Sequence, residues 1–188
     1  MTKDNNAKYV LLGLLSHNPM TGYDIKKSVA NRMSYFWDIS YGQIYPTLKQ
    51  LQKNGSITQQ LEINQKGPNR KVYTITDIGT KELQAWLAKP AKKEVHKYEF
   101  LLKLIFGDQA YPELNVKHVE EFKARNQKIL QTMTLFEESI TPIISQSESH
   151  YYVYLTITLG KAISQASVEW ADNALRMLKE HAAGEVKV

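Results

Sequence analysis

Apolar residues of the first 90 positions recur at helical spacing in short segments that turn residues separate. The first of these segments covers residues 7–15 and stops at the polar stretch 16–19. Thr21, with Asp24 three residues later, forms a capping-box pattern that predicts the start of a second helix. A third helix is predicted from one apolar face and a glycine stop: Ile44, Leu48, Leu51 and Gly55.

Two short segments with strand-like alternation follow, at 57–63 and 71–75. The residues between them, 64–70, combine turn formers with basic side chains, so the pair predicts a β-hairpin with a basic tip. Thr76 and Asp77 then start a fourth helix that is closed by Pro90.

The second half of the chain predicts fewer and longer helices. A short helix is expected at 95–106, a long one from Pro112 to about residue 140, and a last one that Ser145 and Glu148 start as a capping box. Each of the two long helices carries a stripe of apolar residues, and a segment of this size has little core of its own. We therefore expect a second copy of the chain to cover the two stripes. The dimerisation residues predicted on the last stripe are Leu155, Leu159, Ala162, Ala166 and Trp170.

The predicted fold class is therefore mainly α with a small β-hairpin. The order helix, helix, helix, hairpin, helix predicts a winged helix–turn–helix over residues 1–90. Residues 91–188 are predicted to form an all-α helical domain for dimerisation and effector sensing. In a winged helix–turn–helix the third helix enters the major groove of DNA and the hairpin tip touches the neighbouring backbone.

The charge distribution supports this interpretation. The 188 residues carry a formal net charge of +5, of which residues 1–90 hold +6 and residues 91–188 hold −1. Lysine can neutralise phosphate, and glutamine can pair with adenine edges in the major groove. The third helix and the hairpin tip offer candidate DNA-contacting side chains: Gln43, Tyr45, Lys49, Lys53, Lys66, Arg70 and Lys71. A solvated helix face and an ordinary surface turn would show the same residue types.

Several other classes of protein are disfavoured. The chain has no Cys, its five His residues are scattered without ligand spacing, and it has no nucleophile-elbow, phosphate-loop or dinucleotide motif. We therefore expect no metal, no cofactor and no enzymatic activity. The absence of a secretory signal and of a long apolar run predicts a cytoplasmic protein without a membrane partner.

Four motifs follow one another along the first half of the chain: Gly13-Leu14-Leu15, the segment 20–25, the segment 42–51 and the segment 70–79. In this order they resemble the motifs of the PadR family of bacterial transcriptional regulators. The resemblance implies a homodimer that binds a nearly palindromic double-stranded operator and represses transcription. It also adds Tyr23 to the DNA-facing residues and assigns Arg70 and Lys71 to the wing, which is the predicted β-hairpin.

The segments 99–103 and 150–155 are similar to the phenolic-acid-responsive members of this family. That similarity implies release from the operator by a hydroxycinnamate such as p-coumarate, and control of a phenolic acid decarboxylase gene. A phenolic acid needs an apolar slot, a cation for its carboxylate and a partner for its hydroxyl. The candidate effector residues are Trp37, Tyr98, Lys103, His150 and Tyr154.

Two other functions stay open on the sequence. Aromatic cavities hold flat drugs in some PadR relatives, so the chain could be a multidrug-sensing repressor of an exporter gene. A function of another class is a dimeric interaction adaptor that does not bind DNA. His150 could also be a solvated helix-start residue, and the tyrosines could simply pack in a dimer core.

Overall fold

The structure is a computed structural model that describes residues 6–33, 35–63, 69–93 and 97–183. The chain divides into two compact units, Met1–Lys93 and Glu94–Val188. We call them the N-terminal unit and the C-terminal unit, and each is described by itself. None of the described helices is long and apolar enough to cross a membrane.

The N-terminal unit contains four helices, α1 (Ala7–Leu15), α2 (Gly22–Arg32), α3 (Tyr41–Lys53) and α4 (Asp77–Leu87). The predicted start of α2 is confirmed. The Thr21 hydroxyl accepts from the Asp24 amide at 3.1 Å, and the Asp24 carboxylate accepts from the Thr21 amide at 3.1 Å. The helices share one core of closely packed aliphatic side chains, which includes the predicted apolar face of α3: Leu11, Leu12, Ile25, Val29, Ile44, Leu48 and Leu51.

The predicted hairpin is confirmed as β2 (Ile57–Glu62) and β3 (Arg70–Ile75), which pair antiparallel. A further strand, β1 (Met20–Thr21), pairs with the other edge of β3, so the sheet has the order β1-β3-β2. β1 was not predicted, because a strand of two residues is too short to show an alternating pattern. Because β1 ends at the N-cap of α2, it ties the start of that helix to the wing.

The base of the wing is fixed to α1 and α4 by polar contacts. Glu82 of α4 accepts from the Lys8 ammonium at 2.7 Å and from the Ser56 hydroxyl at 2.8 Å. The hydrogen bond from Lys8 lowers the pKa of Glu82 below its usual value. Gly79 lies so close to the chain before β2 that an added Cβ would meet the Ser56 carbonyl oxygen at 2.1 Å. These contacts orient the hairpin relative to the helices.

The C-terminal unit contains α5 (Glu99–Ile105), α6 (Pro112–Ile140) and α7 (Glu148–Ala182). Two salt bridges join α6 and α7 in antiparallel order, Lys123 with Asp172 and Glu137 with Lys161. The aromatic ring of Phe100 on α5 lies against those of two residues on the long helices, Phe122 and Trp170.

Two predicted helix starts in this unit were wrong. The short helix begins at Glu99 and not at residue 95, since residues 97 and 98 are not helical and 94–96 lie outside the described residues. The last helix is capped by Ser147, whose hydroxyl accepts from the His150 amide at 3.3 Å. Ser145 lies instead in a 3-10 turn, Thr141–Gln146, in which Pro142 occupies the first turn.

Candidate nucleic-acid interface

The N-terminus of α3 is fixed by its own side chains. The Gln43 side-chain oxygen accepts from the Ser40 amide at 3.2 Å and from the Ser40 hydroxyl at 3.3 Å. Pro46 lies inside the helix, past its first turn, where it cannot donate to the Gly42 carbonyl. The helix therefore begins at Tyr41, before the glycine, and relies on this cap at its exposed end.

A groove of about 430 Å³ lies between the start of α2, the side of α3 and the wing. It brings together four of the predicted DNA-facing residues with several that the sequence analysis did not single out. The predicted ones are Tyr23, Tyr45, Arg70 and Lys71, and the others include Gly22, Asn69 and Tyr73. All four predicted side chains are exposed, so the groove offers two phenols and two cations to a ligand.

The position of Tyr45 in this groove depends on Gly22. A Cβ added to Gly22 would lie 2.8 Å from Tyr45 Cε1 and 3.1 Å from its hydroxyl oxygen. The Tyr45 ring therefore occupies the space that any other residue at position 22 would need. On its other side the ring stacks with Tyr41, at 6.3 Å between centroids.

Tyr73 forms the buried end of the groove. Burial raises the pKa of Tyr73, and the neighbouring Tyr45 raises it further. A phenol is already neutral around pH 7, and the raised pKa keeps Tyr73 a neutral hydroxyl in the groove that Arg70 and Lys71 also line.

Lys49 and Lys53 lie on the exposed face of α3, opposite the buried face formed by Ile44, Leu48 and Leu51. One helical turn separates the two lysines, so their charges line the same side of the helix. Lys66, the remaining predicted contact, lies outside the described residues.

Within the C-terminal unit, the candidate effector residues fall into two separate groups. Trp37 lies half-buried between α2 and α3 in the N-terminal unit. Tyr98 and Lys103 lie at α5, whose Phe100 ring packs 5.7 Å from that of Trp170. His150 and Tyr154 lie at the opposite end of α7 from Trp170, and 20 residues of helix span about 30 Å.

His150 has a defined partner at the corner before α7. Its Nδ1 lies 2.8 Å from the Ile143 carbonyl oxygen. Because a carbonyl can only accept, the hydrogen bond places the proton on Nδ1 and leaves Nε2 as the other binding atom. Lys103 is held by Glu99 one turn away, at 2.9 Å.

The predicted dimerisation stripe of α7 is exposed in the single chain. Four α7 residues face the interior of the C-terminal unit: Ile157, Gly160, Ser164 and Ala171. At 3.6 residues per turn the stripe lies on the opposite side of the helix, except that the Trp170 ring packs on Phe100 and Phe122 of the same unit. Its members are all exposed, with Leu159 at 62%: Leu155, Leu159, Ala162, Ala166 and Trp170.

Sequence reasoning missed the residues that support the predicted contacts. Ser40, which holds Gln43, carries a signal in the pattern Ser-x-x-Gln, a capping-box sequence. Gly22 carries no such signal, because its contact with Tyr45 joins two different helices.

Comparisons with known proteins agree with this architecture. Residues 11–85 match the transcriptional regulator PadR-like family, and residues 96–179 match the virulence activator alpha C-terminal family. The negative transcriptional regulator PadR of Bacillus subtilis is 30% identical over 175 residues, which cover 91% of this chain and 96% of the relative.

Two solved structures of Bacillus subtilis PadR are similar to the whole chain. PadR in complex with operator DNA has a TM-score of 0.83 at 29% identity, covering 93% of this chain and 98% of that one. PadR in complex with p-coumaric acid has a TM-score of 0.76 at 30% identity, covering 92% and 98%. The chain belongs to the PadR-like family of transcriptional regulators.

Proposed function

We propose that this protein is a transcriptional repressor that binds operator DNA as a homodimer and is released by a phenolic acid such as p-coumarate. The observation that carries the proposal is the exposed face of α3 beside the groove that holds Tyr23, Tyr45, Arg70 and Lys71. The likeness to Bacillus subtilis PadR in complex with operator DNA supports the same assignment. The proposed target is a phenolic acid decarboxylase gene.

The proposed DNA contacts divide into two kinds. Cationic side chains pair with phosphates and set the affinity and its salt dependence: Lys49, Lys53, Lys66, Arg70 and Lys71. Tyr23 and Tyr45 donate hydroxyl hydrogens to the backbone, and Gln43 reads a base edge. α3 is the element that enters the major groove, because its outward face is polar and its inward face belongs to the core.

The homodimer is supported by the small core of the C-terminal unit. Among its described residues only four apolar side chains are buried: Val119, Met133, Ile157 and Ala171. The part of the α7 stripe from Leu155 to Ala166 is exposed and apolar, and it lies opposite this core. A second copy of the same helix covers such a stripe with the same stripe, as two-fold symmetry requires.

The proposed effector contacts are Trp37, Tyr98, Lys103, His150 and Tyr154. Because about 30 Å of α7 separates His150 from the α5 end, a phenolic acid that touched both His150 and Lys103 would have to lie between two copies of the chain. We propose that the ligand changes the angle between the two DNA-binding units, so that the half-sites are no longer matched. Such coupling is typically about 1–3 kcal/mol.

A gel-shift assay on the DNA upstream of the protein's own gene, with and without p-coumarate, tests the proposal. We expect a salt-sensitive shift that p-coumarate abolishes and that acetate, as a control acid, leaves in place. A shift that survives p-coumarate but yields to planar cationic drugs would support a multidrug-sensing repressor of an exporter gene instead. No shift at low salt would favour the non-DNA-binding dimeric adaptor.

A further inference from the structure

The side-chain oxygen of Gln43 is directed back toward the N-cap of α3. A carbonyl oxygen has two lone pairs, and here the Ser40 amide and the Ser40 hydroxyl each donate to it, at 3.2 and 3.3 Å. The backbone amide can only donate, so the oxygen and not the nitrogen of the Gln43 amide must face it. The Nε2 group, with two N–H hydrogens, is the part of this exposed side chain that is left to bind a partner.

This arrangement excludes the usual pairing of glutamine with adenine. That pairing is bidentate: the side-chain oxygen accepts from adenine N6 while the side-chain nitrogen donates to N7. Guanine instead offers two acceptors, N7 and O6, and thymine offers O4, whereas cytosine offers only the N4 donor. A glutamine with donors alone therefore matches guanine best, because guanine offers two acceptors, whereas adenine and thymine offer one each and cytosine offers none.

The cap restrains Gln43 from turning its oxygen outward on DNA. Rotation of the amide would leave the Ser40 N–H without its partner at the very end of α3. The proline at position 46 already removes one backbone hydrogen bond from this end of the helix. Binding adenine through both amide atoms would thus cost the helix its N-terminal cap.

We propose that Gln43 reads the operator as a donor only, selecting guanine, which offers two acceptors, over adenine and thymine, which offer one each, and over cytosine, which offers none. This inference rests on the proposed DNA-binding function, and it corrects the expectation that Gln43 pairs with an adenine edge. Gln43 is then a specificity-determining residue, and its hydrogen bonds with Ser40 leave it only its N–H donors for the DNA.

Selection of bound sequences from a random double-stranded DNA library by the full-length protein and three variants tests this. Gln43→Ala removes both cap and donors, and we expect it to lose about tenfold of base discrimination at one symmetric position of each half-site. Gln43→Glu keeps a capping oxygen, as in a Ser-x-x-Glu box, but its outward atom only accepts. We expect it to move the preference at that position to cytosine or adenine.

Gln84→Glu is the matched control, because it adds the same charge at an exposed position of α4 outside the proposed interface. It should retain the wild-type preference at every position. Thermal unfolding of all the variants separates a lost cap from a lost base contact, since Gln43→Glu should unfold close to the wild type.

The outcomes distinguish this inference from the proposed function. Adenine in the wild-type selection at the position that Gln43→Ala relaxes would overturn the donor-only inference and leave DNA binding intact. An unchanged preference in Gln43→Glu would overturn it as well. Failure of the wild-type protein to enrich any sequence, or to bind the library even at low salt, would refute the proposed function itself.

Discussion

Gly22 shows how a single residue without a side chain can place a functional one. The Tyr45 ring rests on its Cα, and the backbone of Gly22 has an ordinary negative φ, so conformational freedom is not what the position requires. The position requires a residue without a side chain, because the Tyr45 ring occupies the space that a Cβ would need. Substitution should therefore act on Tyr45 and not on the start of α2.

We expect Gly22→Ala to weaken operator binding about five- to tenfold while the thermal unfolding midpoint stays near that of the wild type. The new Cβ would meet the Tyr45 ring at 2.8 Å and displace its hydroxyl, which amounts to losing one hydrogen bond of about 1 kcal/mol. Alanine is itself a better helix former than glycine. Fluorescence anisotropy with labelled operator DNA measures the first effect and calorimetry the second.

Gly13→Ala is the matched control, because no atom other than those of its chain neighbours and its own helix backbone lies within 4 Å of the Cβ it would add. It should bind DNA as the wild type does. Wild-type affinity in Gly22→Ala would contradict the placement of Tyr45 in the interface.

The residues of the proposed interface were predictable to different degrees. Lys49 and the buried face of α3 follow from the helical period alone, and the structure places both on the expected sides. The cap that engages Gln43 was readable in the pattern Ser-x-x-Gln, but the sequence analysis treated this side chain as free. The contact of Tyr45 with Gly22 was not predictable, because it depends on how two helices pack.

At the scale of elements, α3 and the wing present their cations on separate supports. Lys49 extends from a helix whose opposite face is buried, and Arg70 begins the strand that lies between β1 and β2. Because the two cations stand on different elements, removal of one should leave the other in place.

We expect Lys49→Ala and Arg70→Ala each to reduce the slope of log binding constant against log salt by about one unit, if each neutralises one phosphate. The loss should be similar on operator and on random DNA, since phosphate contacts carry no base information. Titrations at four or more salt concentrations give the slopes. Lys81→Ala on α4, also exposed, is the control that should keep the wild-type slope.

Element boundaries were predicted well where one local signal acted alone. Thr21 with Asp24 marked the start of α2, and both of their hydrogen bonds are present. The start of α7 was missed because Ser145 and Ser147 both offer a cap. Ser145 is part of the 3-10 turn after α6, so Ser147 is the residue that caps α7. The choice between the two serines depends on how this corner packs, which the local sequence does not show.

At the scale of the whole molecule, the two units differ in how they are stabilised. The N-terminal unit has a continuous buried cluster shared by its helices and sheet. In the C-terminal unit the apolar stripe of α7 is exposed. The helical period of α7 is clear in the sequence because the helix has 35 residues, and the residues predicted for the stripe are exposed; their role in dimerisation stays a prediction.

We expect the wild-type protein to elute as a dimer and Leu159→Lys to elute mainly as a monomer with at least a tenfold loss of operator affinity. Lysine in the middle of the stripe would place a charge in the proposed apolar contact. Light scattering coupled to size-exclusion chromatography gives the mass, and anisotropy gives the affinity.

Gln165→Lys is the control for that substitution, because residue 165 is exposed on α7 away from the stripe and lies beside Glu169. A lysine there keeps a donor for the same carboxylate. Dimer in this control and monomer in Leu159→Lys would support the stripe as the interface. If Leu159→Lys were still a dimer, the stripe would not be the dimer interface.

The uncovered stripe of α7 also has a genetic consequence. In the proposed dimer each chain joins its partner through the C-terminal unit, which carries none of the proposed wing or α3 contacts. A chain with a defective wing but an intact stripe would therefore still pair with a normal chain and leave it with one working half. In a cell that made both chains, most dimers would be impaired, and the mutant allele would be dominant over the normal one.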